Sequence, residues 1–161
     1  DPMGSLLLLV AGFGWAKPVP INPYALQRRS PAAVMWVSLA GPLSNFLLAI
    51  LAAVPFRVGI ASITEAMGSG WLPTPSKIFM EFIIINLVLM LFNLIPLAPL
   101  DGEKIIDYFF PPSWSRSLDT IRPYGPMILI LVAVVAPYFG LDILGAIIGP
   151  PLRAMLSLLV G

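Results

Sequence analysis

Apolar residues run along this chain in long stretches, separated by short polar segments rich in proline and glycine. Residues 3–16 are apolar but short, because crossing a bilayer takes roughly 20 predominantly apolar residues. Residues 32–56 make a full span. Residues 78–91 open a further stretch that runs on to Leu100, and residues 124–141 and 144–160 follow. The pattern predicts an all-α polytopic membrane protein with about four transmembrane spans and no internal repeat. Residues 1–161 read as one membrane-embedded domain.

Proline and glycine mark where these helices are expected to break. Ser30-Pro31 opens the first full span, Gly41-Pro42 is expected to interrupt it, and Gly149-Pro150-Pro151 is expected to divide the last one. Pro96 and Pro99, three residues apart, must unwind the end of the preceding helix, since each removes a backbone donor. In the polar break 17–31, alternate prolines around Val19, Pro20, Ile21 and Asn22 exclude helix and predict a short extended segment near residues 17–23. Residues 103–123 form an amphipathic, charged connection. The opening Asp1-Pro2 has neither an initiator Met nor a basic flank, so it does not read as a signal peptide. It predicts a chain truncated at its N-terminus.

Composition supports the membrane reading and narrows the chemistry. Of 161 residues 58% are hydrophobic and 11% charged, against about 45–50% and about 25% in soluble domains. A net charge of +1 provides no basic field for nucleic acid, so the expected surroundings are a lipid bilayer. Without cysteine there is no disulfide, thiolate metal site or Cys nucleophile, and without histidine the commonest general base and metal ligand are missing. Lys17, Arg28 and Arg29 in one loop and Lys104, Arg116 and Arg122 in another outnumber Arg57 and Lys77 between them. This places the first and third loops on the cytoplasmic side.

A few polar residues at the apolar breaks could carry chemistry. Asp101 follows an apolar stretch, and an ionisable group near membrane depth is by default a functional candidate. It could equally cap the helix that follows. Asn93 could satisfy carbonyls freed by Pro96 or donate to an anionic intermediate. Asn45, beside Gly41-Pro42, offers an interhelical hydrogen bond. Glu81 reads as water-facing, and Glu103, Asp107 and Asp119 read as solvated surface. The residues alone lead to a polytopic membrane protein with an Asn/Asp pair at a broken helix.

The stretch Asn93-Leu-Ile-Pro-Leu-Ala-Pro-Leu-Asp101-Gly102 resembles the Asn-x-x-Pro-x-x-Pro-Leu-Asp-Gly signature of the site-2 proteases, a family of intramembrane zinc metallopeptidases. Gly14-Trp15-Ala16-Lys17-Pro18-Val19-Pro20-Ile21-Asn22-Pro23 and Ala40-Gly41-Pro42-Leu43-Ser44-Asn45 resemble two further family segments, in the family's order. The resemblance implies that Asp101 is the third zinc ligand and that Asn93 steadies the scissile carbonyl or its oxyanion. It also implies that Val19, Pro20, Ile21 and Asn22 pair with an unwound substrate by strand addition. Gly41, Pro42, Asn45, Pro96 and Pro99 take structural roles.

The family's His-Glu-x-x-His, which carries two ligands and the general base, has no counterpart here. The implied function is therefore a zinc metalloendopeptidase cutting transmembrane segments, with Zn2+ in the complete protein. This chain alone is expected to hold no zinc and to be inactive, because one carboxylate does not make a three-ligand site. The alternative is a non-catalytic homologue that binds transmembrane segments. A channel or transporter is disfavoured by the lack of a matching pair of broken helices. The expected location is a multi-pass position in a prokaryotic inner membrane; the oligomeric state is not legible.

Overall fold

A computed structural model describes residue 30 and residues 32–68, 73–111 and 118–161. The segment Val19, Pro20, Ile21 and Asn22, expected to be extended, lies outside the described residues. Among these, all regular structure is helical: α1 (Ala33–Arg57), α2 (Ile63–Ala66), α3 (Pro75–Asn93), α4 (Asp101–Phe109), α5 (Leu118–Tyr138) and α6 (Ile143–Val160). Four of them, α1, α3, α5 and α6, are long and apolar enough to cross a membrane. The protein is an all-α, polytopic membrane type.

Two expected breaks are absent. α1 continues through Pro42 and Pro55, and α6 continues through Pro150 and Pro151. A proline deletes one donor rather than a run of them, so a helix persists where the flanking turns keep their bonds and protein packs against the ring. Pro42 meets that condition, being among the most completely buried side chains. In α5 the backbone relaxes instead into a π-helical turn at Leu131–Val135. That turn surrounds Ala133, the residue whose carbonyl the ring of Pro137 would otherwise strike.

The core lies between α1, α3 and α6. Ala49, Ala52 and Ala53 present a face of small side chains on α1, which lets α3 approach closely and bury Ile83 and Leu87 completely. Phe56 and Val160 close one end of this cluster. At that end Ser76, buried in the first turn of α3, accepts from the Ser62 amide at 3.1 Å and donates to Oε2 of Glu65 at 3.0 Å. Thr74 caps α3 by accepting the Lys77 amide. The Arg57 guanidinium donates to the carbonyls of Leu158 and Leu159 at the C-terminus of α6, 2.9 Å from the latter, where a cation also suits the helix dipole.

These contacts fix the directions of the helices. α1 and α3 are antiparallel, so the start of α1 and the end of α3 share one end of the bundle. α6 runs parallel to α1: Ile147, Ile148 and Pro151 lie beside Leu94, Ile95 and Pro96, while its C-terminus reaches Arg57. Four residues, 139–142, join the end of α5 to the start of α6, and Gly125 of α5 lies against Ala98 of the unwound segment. Large apolar side chains such as Trp36, Leu51, Ile85, Met127 and Ile130 face outward, as expected where the solvent is lipid.

Candidate functional site

Pro96 has no N–H to offer the carbonyl of Phe92, and α3 ends at Asn93. The Ile95 amide takes over that carbonyl at 3.1 Å. The chain then folds through two tight steps, Leu97 amide to Ile95 carbonyl and Leu100 amide to Leu97 carbonyl, each 2.8 Å. Ala98 and Leu100 are buried, whereas Leu94, Pro96 and Pro99 are exposed. This is the unwound end that the two prolines predict. Its inner side faces protein and its outer side does not.

Glycines hold the unwound segment from two sides. A Cβ on Gly102 would collide with the carbonyl oxygens of Leu94 and Ile95. One on Gly125, two turns into α5, would collide with the carbonyl of Ala98 and stand 2.9 Å from its Cβ. Residues 94–100 are therefore gripped between the first turn of α4 and Gly125 of α5.

Asp101 is the first residue of α4. The N-cap is Leu100, whose side chain cannot bond the helix, so the capping role open to Asp101 from sequence is not the one it takes. Its carboxylate is one-third exposed, with Nζ of Lys104 at 3.6 Å from Oδ1. The other oxygen points to α1, where a Cβ on Gly41 would lie 3.5 Å from Oδ2. Two of the segments singled out in the sequence, Gly41-Pro42 and Asn93 to Asp101, thus meet at this carboxylate.

Asn93 stands at the other end of the unwound segment, half-buried. Its amide donates to the Leu89 carbonyl one turn back, at 2.9 Å, rather than to a carbonyl released by Pro96. Asn45 is half-buried one turn along α1 from Gly41. Among the described residues it makes no interhelical hydrogen bond. The adjacent Ser44 hydroxyl simply bonds back to Ala40. Glu81 is exposed on α3.

The acidic residues of α4 are not solvated surface, as the sequence reading had them. Glu103 is buried, with 6% of its surface exposed, and accepts from Nε of Arg122 at 2.6 Å and also from the second guanidinium arm. The same guanidinium reaches Oδ1 of Asp119 at 2.6 Å and Oδ2 of Asp107 at 3.6 Å. One cation at the head of α5 thus gathers three carboxylates, two of them from α4. A signal for this existed: Glu103 and Asp107 are four residues apart, hence on one face of a helix, and Arg122 immediately precedes an apolar span.

The described residues bring together no three His, Cys, Asp or Glu side chains able to hold a metal. A catalytic zinc takes three protein ligands. Asp101 is a suitable donor for one of them, and the residues described here do not by themselves fit the ion. Beside the unwound segment, an apolar groove of about 330 Å³ runs between Leu94, Ile95 and Pro96 and α6, at Ile147, Ile148 and Pro151.

The chain is 40% identical over 141 residues to a Bacillus subtilis (strain 168) protein named putative zinc metalloprotease YwhC. The match takes in 85% of this chain and 61% of that protein, so the chain spans about three fifths of the relative's length. No family model matches the chain. No solved structure matches it either.

Proposed function

We propose that these residues belong to an intramembrane zinc endopeptidase of the site-2 type, a multi-pass protein of a bacterial membrane that cleaves transmembrane segments of other proteins. The observation that carries this reading is the meeting of Asp101 with Gly41. Two segments distant in the chain, each resembling a separate family segment, converge on one carboxylate at the edge of an unwound helix. The similarity to a protein named as a zinc metalloprotease supports the same reading. In it, Asp101 supplies one ligand and the remaining ligands come from outside these 161 residues, which contain neither His nor Cys. Asn93 acts on the substrate carbonyl, and the Val19, Pro20, Ile21 and Asn22 segment holds the opened substrate as an added strand.

Proteoliposomes carrying the complete protein and a tagged single-span substrate test the proposal. Cleavage should occur within the apolar segment, stop on removal of metal by a chelator and return with zinc. Capture of the substrate without any cleavage would instead establish the non-catalytic reading.

A further inference from the structure

Arg122 and Gly125 lie three residues apart on one face at the head of α5, and they grip the chain on both sides of Asp101. Gly125 sits against the carbonyl of Ala98, before Asp101. Arg122 bonds to Glu103 and approaches Asp107, after it. Among the described residues, Asp101 itself is held by Lys104, a partner on its own helix with 46% of its side chain exposed. A loosely tethered carboxylate at the end of an unwound segment takes its position from its backbone. That backbone takes its position from the elements packed on it, α1 directly and α5 through Gly125 and Arg122.

From this geometry we infer that Arg122 is a positioning residue: through its buried pair with Glu103 it ties α4 to α5, and with α4 so held the Asp101 carboxylate stays at Gly41. The fork geometry of a guanidinium suits the task, because it can bond Glu103 while still reaching Asp107 and Asp119, which a lysine's point charge does less well. Glu103 is buried, and among the described residues its counter-charge is Arg122, so removing the arginine takes that partner from a buried acid and loosens α4 from α5. The inference rests on the reading of Asp101 as a metal ligand only for its functional consequence, not for its geometry.

The test separates the two. These 161 residues contain no cysteine, so a Gly41→Cys, Asp101→Cys pair reports how often the two positions meet. In the complete protein, with any other cysteine replaced, oxidative cross-linking of this pair should be roughly tenfold slower when Arg122→Gln is added, and should largely recover with Arg122→Lys. Glu103→Gln should slow it as well, and should add little to Arg122→Gln, since both remove one pair. With Asp101 intact, Arg122→Gln should weaken zinc affinity by about 10–100-fold, the usual effect of losing a group that orients a ligand. Unchanged cross-linking in both Arg122→Gln and Glu103→Gln overturns the inference. If cross-linking falls as expected while Asp101→Asn leaves zinc affinity intact, the positioning stands and the ligand role of Asp101 fails. Should Arg122→Gln not insert into the membrane, Glu103→Gln, which removes a buried charge rather than stranding one, decides the matter alone.

Discussion

Oδ2 of Asp101 lies 3.5 Å from the point where a side chain on Gly41 would begin, so α1 meets the carboxylate at this glycine. That spacing is an ordinary van der Waals contact. Gly41→Ala should therefore be tolerated, while Gly41→Leu should push the carboxylate away from α1. In the complete protein the alanine variant should keep the parent's zinc affinity and the leucine variant should lose it, as read by competition with a zinc-sensitive dye.

Gly102 and Gly125 differ from Gly41 in facing backbone carbonyls at distances no Cβ can occupy. Alanine at either position has to displace the unwound segment, an overpacking that costs about 1–3 kcal/mol. Thermal unfolding in detergent should show both variants less stable than the parent. Gly149→Ala serves as the control, since its Cβ would meet only the tip of Arg153 at 3.7 Å. It should be neutral or slightly stabilising, as a glycine leaves a helix interior.

Among the described residues, Asn93 bonds to its own helix, one turn back. Asn93→Ala should accordingly leave the unfolding temperature nearly unchanged, within about 0.5 kcal/mol of stability. If the amide acts on charge developing at the substrate carbonyl, the same variant should slow cleavage by roughly 10²–10³ with zinc still bound. Asn86→Ala supplies the contrast. That amide is buried and bonded to the Phe82 carbonyl, away from the unwound segment, and its loss should affect stability more than rate.

Arg57 ties the ends of α1 and α6 by donating to the last carbonyls of α6. Arg57→Gln should cost about 1 kcal/mol, since hydrogen bonds at exposed helix ends are worth little more than that. Faster proteolysis at the C-terminus of α6 in membranes would report it, with Arg57→Lys intermediate.

The helices were legible in the sequence because span length and apolar content are strong signals, and the unwound end because Pro96 and Pro99 leave the backbone no alternative. The continuity of α1 and α6 was not, since Pro42, Pro150 and Pro151 read as breaks when their surroundings are unknown. At Pro42 the helix is carried through by packing from distant elements. The same limit hid the Glu103–Arg122 pair. Charges on a short connection read as solvated until the fold shows α5 returning an arginine to α4. For the candidate site, the residue types and spacing of Asn93 and Asp101 stood out, but that Asp101 begins α4 under a Leu100 cap, and that Gly41 faces it, are properties of the folded chain.

The central claim is that Asp101 binds metal, and zinc content measured by mass spectrometry on the complete protein and its Asp101→Asn variant tests it most directly. Asparagine keeps the size and shape of the side chain while removing the charge that a metal needs, so the fold at the head of α4 should survive. The account predicts about one zinc per chain in the parent and a loss of roughly tenfold or more in affinity in the variant. An Asp101→Asn protein that holds zinc as tightly as the parent would contradict it.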